Sequence, residues 1–126
     1  MLAGNFYTIV QSQQTPETFT VLLALNAAHP IFEGHFPGQP VVPGVCMMQT
    51  IQELLEQCLQ RRLQLQKAAN MKFMTMIDPV VQPRVNVELQ YVVQEGGLVK
   101  TSAMIKSDHT VFMKFQGTFK IVNSER

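Results

Sequence analysis

Gly34-His35-Phe36-Pro37-Gly38-Gln39-Pro40-Val41-Val42-Pro43-Gly44-Val45 is the stretch on which the reading of this chain turns, together with the apolar-periodic run behind it. Pro37, Pro40 and Pro43 fix φ and remove backbone donors, so the loop is stiff and largely extended. Gly38 and Gly44 allow a sharp turn or the close approach of a ligand. Pro43 and Gly44 stand where a helix would begin, and proline suits a first helical position. A rigid loop that carries one titratable ring and ends at a helix N-terminus suits a polarised carbonyl or an anion.

Outward from this loop, Val45 to about Gln66 has no Pro or Gly. Val45, Met48, Ile51, Leu55, Cys58, Leu59 and Leu63 recur at spacings of three and four, which predicts one long helix. Its first turn is apolar all round and should be buried, whereas Arg61, Arg62 and Lys67 form a basic end. Before the loop, residues from about Asn5 to Val10 read as a short strand, Gln11 to Pro16 as a turn, and Thr18 to Leu25 as a strand. After the helix, Ala69 to Ile77 reads as a strand. Arg84 to Gln94, Leu98 to Lys106 and the run from Val111 then alternate apolar and polar residues. Glu95-Gly96-Gly97 and Ser107-Asp108-His109 supply the turns. Three amphipathic strands after one long helix predict an α+β domain, an antiparallel meander with the helix on its apolar face.

At 126 residues, 1–126 is expected to form a single domain. An apolar fraction of 46% against 15% charged residues suggests apolar surface shared between subunits. A net charge of +1 gives no electrostatic case for nucleic acid or an anionic membrane. Cys46 and Cys58, on one helix, would lie ~18 Å apart, too far for a disulfide, and read as thiols of a reducing compartment. There is no metal-ligand spacing, no secretory leader pattern and no apolar run of spanning length, so a cytoplasmic protein is expected.

The loop motif His35-Phe36-Pro37-Gly38-x-Pro40-x-x-Pro43-Gly44-Val45 resembles the signature of the 3-hydroxyacyl-(acyl-carrier-protein) dehydratases, with eight specified positions in eleven. The resemblance implies the hotdog fold, a curved antiparallel sheet wrapped around one long central helix, in a homodimer or higher homo-oligomer. It implies removal of water from 3-hydroxyacyl thioesters held on the phosphopantetheine of an acyl carrier protein. The product would be a trans-2-enoyl thioester, formed without a metal or redox cofactor in fatty acid or polyene biosynthesis.

Such a dehydration needs a base for the proton next to the carbonyl, donors for the thioester oxygen, and a proton for the departing hydroxyl. His35 is the candidate base, since a neutral imidazole accepts a proton near pH 7. The Gly44 amide at the helix start is the candidate donor, and Phe36, Pro43 and Val45 complete the substrate-binding set. In the resembled family an Asp or Glu stands fourteen residues after the histidine, reached from the neighbouring subunit. Here that position is Gln49, which can donate a hydrogen bond but not a proton. Glu53 lies one turn on, on the same helix face. It is the candidate displaced acid, which burial would keep protonated, with Gln49 orienting the hydroxyl. Its alternative is an ordinary surface carboxylate. His29 reads as structural, and His109 as solvated. The methionines read as filler or as the lining of an acyl tunnel, and Arg61, Arg62, Lys67 and Arg84 as a solvated face or a carrier-docking patch. Two other functions remain open: an acyl thioesterase, and a non-catalytic acyl-binding partner subunit, which Gln49 favours.

Overall fold

The computed structural model describes residues 2–34 and 40–122, so His35 and Phe36 lie outside the described residues. The described chain forms β1 (Tyr7–Gln14), β2 (Thr18–Leu25), a short α1 (Ile31–Gly34), α2 (Gly44–Leu59), β3 (Arg62–Phe73), β4 (Arg84–Val93), β5 (Leu98–Ser107) and β6 (Thr110–Val122). The strands make one antiparallel sheet in the order β1-β2-β4-β5-β6-β3.

Alternation decides which face of the sheet meets α2. Val85, Val87, Leu89 and Tyr91 of β4 and Val99, Ala103 and Ile105 of β5 are buried, as are Met113, Phe115 and Phe119 of β6. They share one core with Cys46, Met47, Ile51, Leu54 and Leu55 of α2. Ile51, Leu54 and Leu55 have no measurable exposure, so the helix is the centre around which the sheet closes. This is the expected hotdog arrangement, α+β with one long helix held in a curved sheet.

Several boundaries differ from the sequence expectation. The helix stops at Leu59 rather than near Gln66, because Gln60 adopts the left-handed conformation (φ 56°) and its N–H closes on the Glu56 carbonyl. The Glu56 side chain then accepts the Leu63 N–H at 2.9 Å and starts β3. From Leu63 the period is already two: Leu63 and Leu65 face inward and Gln64 and Gln66 outward. The strand read as Ala69 to Ile77 therefore begins earlier, at Arg62, and ends at Phe73, leaving Met74 to Ile77 outside it. In β1, Gln11 to Gln14 continue the strand beyond a bulge between Ile9 and Gln11, rather than turning. Val45, expected to be buried, is 75% exposed.

Curvature is built into β3, which bulges against β6 between Leu65 and Lys67 and again between Ala68 and Asn70. Gly117 of β6 sits opposite Ala68, and a Cβ there would run into the Lys67 carbonyl oxygen and the Phe115 ring. Gly117→Ala is expected to destabilise the protein by about 1–3 kcal/mol through overpacking against immovable backbone. A urea midpoint equal to wild type would refute this account of the bend.

Candidate active site

Two depressions flank α2. The first opens at its N-terminus. Pro43 is the N-cap in extended conformation (φ −65°, ψ 146°), and Gly44 is the first helical residue, so the proline stands one position earlier than expected. The Cys46 and Met47 N–H groups both bond the Pro43 carbonyl. Helix geometry leaves the Gly44 and Val45 amides without an intrahelical acceptor, at the positive end of the helix dipole. Val41, Val42, Pro43, Gly44, Met47 and the Phe73–Met76 segment enclose a groove of about 410 Å³. The Phe73 ring lies over Gly44 so closely that a Cβ there would come within 2.9 Å of it. Met74 and Met76 are exposed at the rim. The result is an apolar slot with backbone donors at one end, suited to an acyl chain whose carbonyl meets the helix start.

The second depression, about 340 Å³, is polar and includes Gln49, Gln52, Glu53, Glu56 and Arg62. It shares no lining residue with the first. Gln49 is exposed, while Glu53 is only 6% exposed and stands at the back of the depression. One oxygen of Glu53 accepts the Leu2 N–H at 2.8 Å and the Gln49 side-chain amide at 3.0 Å. The other accepts the Ala3 N–H at 3.0 Å and the Tyr7 hydroxyl at 3.1 Å. Four donors fill the acceptor capacity of an ionised carboxylate.

Glu53 is thus neither a surface carboxylate nor a carboxyl kept protonated by burial. Burial pushes its pKa up. The Leu2 N–H, the Gln49 amide, the Ala3 N–H and the Tyr7 hydroxyl, taken together, outweigh it and hold the carboxyl below its ordinary value. Tyr7 responds in the opposite sense: its own burial and the Glu53 charge push the phenol well above its usual range, so it remains a donor. Gln49 is fixed as a consequence. One amide hydrogen goes to Glu53, which leaves the carbonyl oxygen and one N–H for another partner.

The structure brings Gln49 and Glu53 together, and separately brings Pro43 and Gly44 beside Phe73. His35 and Phe36 fall outside the described residues, and Val45 faces outward at the helix start. His29 accepts the Ile31 N–H on Nδ1 at 3.1 Å and packs edge-on against Phe6, which accounts for it structurally. Sequence reasoning missed Tyr7 and the Leu2–Ala3 amides as partners of Glu53, and Phe73 as the cover over Gly44. A tyrosine on the inner face of a strand was the one available hint, since a buried hydroxyl needs a partner.

The fold is that of the hotdog proteins. The profile of the ApeI-like family, described as ApeI dehydratase, matches residues 11–115, and the chain belongs to that family. It is 29% identical over 99 residues to the 3-hydroxyacyl-[acyl-carrier-protein] dehydratase FabZ of Clostridium acetobutylicum, covering 73% of this chain and 69% of that one. It is 24% identical over 92 residues to the FabZ of Caulobacter sp. (strain K31), covering 73% of this chain and 52% of that one. The chain therefore spans about half the length of the Caulobacter relatives it matches. Among solved structures, the dehydratase heterocomplex ApeI:P from Xenorhabdus doucetiae superposes with a TM-score of 0.66 at 18% identity, covering 90% of this chain and 96% of that one. A thioesterase from Staphylococcus aureus superposes with a TM-score of 0.65 at 10% identity, covering 93% of each chain. At these identities the structural likenesses establish the fold alone.

The Glu53 site has a pH signature. A carboxyl whose folded pKa lies below its unfolded value of about 4.3 contributes stability above that value and loses it as pH falls through the folded pKa. Glu53→Gln places an amide against four donors and should cost about 1–3 kcal/mol near pH 7. Urea unfolding is expected to show the gap between wild type and variant narrowing as pH falls below about 4. A gap independent of pH would mean that Glu53 is not ionised in the folded protein.

Proposed function

We propose that this chain acts on 3-hydroxyacyl groups held as thioesters on an acyl carrier protein, removing water to give the trans-2-enoyl thioester. The observation that supports this most directly is the apolar groove at the start of α2, with Gly44 at its end and Phe73 over Gly44. The family and the FabZ relatives support the reaction class.

In this reading the acyl chain lies in the groove, against Pro43, and its thioester oxygen accepts the Gly44 N–H. His35 takes the proton from the carbon next to the carbonyl, and the electron pair moves toward the held oxygen. Its return forms the carbon–carbon double bond and breaks the bond to the hydroxyl. Glu53 accepts from four donors that hold its pKa below the ordinary carboxyl value, so it is not assigned as the acid, and Gln49 is an amide. The imidazolium formed in the first step is then the group that returns a proton to the departing hydroxyl, and the atoms balance without a second acid. The free edge of the Gln49 amide holds that hydroxyl, and Glu53 is a positioning residue behind it. Within one chain Gln49 lines a depression separate from the groove, so a second subunit has to bring the two together. That subunit is a copy of this chain or a different family member; the Xenorhabdus doucetiae structure is a heterocomplex. Cytoplasmic residence fits a carrier-bound substrate.

A second reading has a specific observation in its favour. Because Glu53, the carboxylate bonded to the Gln49 amide, is already held by four donors, the chain could bind the acyl group while another subunit performs the chemistry. Incubating the purified protein with a 3-hydroxyacyl carrier-protein thioester and following it by mass spectrometry separates the readings. Loss of one water, abolished by His35→Ala, is the expected result. Release of the free carrier thiol would make the protein a thioesterase, and stable binding with no change in mass would make it the binding subunit.

A further inference from the structure

The chain has two tyrosines, and both are buried in the core. The Tyr91 hydroxyl has neutral partners: it accepts from the Cys58 thiol at 3.1 Å and donates to the Thr15 carbonyl at 3.4 Å. The Tyr7 hydroxyl has one partner among the described residues, and that partner is the Glu53 carboxylate behind Gln49.

The four donors on Glu53 divide evenly between its oxygens. Oε2 accepts the Leu2 N–H and the Gln49 amide, and Oε1 accepts the Ala3 N–H and the Tyr7 hydroxyl. A carboxylate held on one oxygen can still turn about its last side-chain bond, and one held on both cannot. Without Tyr7, Oε1 would keep only the amide of the exposed Ala3.

A turn over residues 2–7 brings these donors together. The Leu2 carbonyl accepts the Asn5 and Phe6 N–H groups at 3.1 and 2.8 Å, and the Gly4 N–H donates to the Tyr7 carbonyl at 2.7 Å. Gly4 closes the turn at φ 85°, a region that β-branched residues rarely enter. The turn is moored to the body of the protein independently of Glu53. Asn26, just past β2, donates its N–H to the Phe6 carbonyl and its side-chain amide to the Asn5 carbonyl, each at 2.9 Å. Phe6 is buried against Phe32 and the His29 ring. Two adjacent amides and one hydroxyl therefore form a clasp that is in place before the carboxylate enters it. Stability alone does not call for such a device, because apolar packing commonly serves as well as a buried charge. What the clasp adds is orientation: Gln49 is exposed in the polar depression, and the carboxylate that holds its amide is fixed from behind.

We propose that Tyr7 is a positioning residue of the site: with the turn over residues 2–7 it locks the Glu53 carboxylate, and through it the Gln49 amide, so that the free edge of the amide meets the substrate hydroxyl in one orientation. The role in turnover rests on the dehydration proposed above. The orientation of Gln49 does not, and it is read separately.

The test follows the Gln49 side-chain amide by proton–nitrogen NMR in the whole chain, its signals identified by their absence from Gln49→Met. In the wild type they should titrate only in acid, together with Glu53. Tyr7→Phe removes a donor to the charged carboxylate and should move that midpoint up in pH. It should also bring the two amide protons closer in shift at neutral pH. With a 3-hydroxyacyl carrier-protein thioester, Tyr7→Phe should lower kcat severalfold and leave KM within about twofold. A Cβ on Gly4 meets nothing within 4 Å, so substitutions there act through the backbone alone. Gly4→Val should reproduce both effects, and Gly4→Asn, which tolerates positive φ, should largely restore the wild-type behaviour. Tyr91→Phe, which removes the other buried hydroxyl, should change neither readout. Circular dichroism and thermal melting report that each variant is folded. Amide signals that are the same in Tyr7→Phe as in the wild type, or that change equally in Tyr91→Phe, overturn the proposal. So does an unchanged kcat in Tyr7→Phe. A wild type that turns over no substrate overturns the dehydration instead, and the amide signals then decide the positioning alone.

Discussion

A carboxylate withdrawn from water must find its donors in the protein, and Glu53 finds four. Two come from the backbone of Leu2 and Ala3, one from Tyr7 at the start of β1, and one from Gln49 a helical turn earlier. The central helix, the first strand and the segment before it are thereby joined at one point. Removing any donor would leave part of a buried charge unmatched, which is why such a network holds its geometry more firmly than its net contribution to stability would suggest.

The same network constrains the chemistry at position 49. A side chain with two free amide hydrogens could rotate to suit many ligands. With one hydrogen committed to Glu53, the Gln49 amide is held in one orientation and presents its carbonyl oxygen and remaining N–H outward. Position 49 carries an amide, and the carboxylate one helical turn away is held by four donors.

The sheet separates two environments. Its inner face is almost wholly apolar, with Thr101 and Ser107 among the few buried polar side chains of its strands. Its outer face gathers every lysine of the chain, while the carboxylates lie mainly in loops and on α2. Opposite charges kept on different parts of one small domain leave it nearly neutral overall and strongly polarised locally.

The sequence by itself determined the elements whose signal is local. Strict alternation in β4, β5 and β6, three-and-four spacing from Val45 to Leu59, and the Gly96-Gly97 hairpin depend on side-chain periodicity and backbone sterics, so they were legible without the fold. The motif from His35 to Val45 likewise indicated a hotdog dehydratase, the broader class into which the ApeI-like family falls. The end of the helix was not legible from the apolar spacing, because Leu63 satisfies both a helical and a strand period; Gln60 in the left-handed region and the Glu56–Leu63 bond decided it. Only the tertiary structure decided the state of Glu53. Its pKa depends on the competition between burial and donors up to 51 residues away along the chain, which no spacing on the helix can reveal. The gathering of the lysines on the outer face was hidden for the same reason: rows across a sheet are made by register between distant strands, and register is a property of the folded chain.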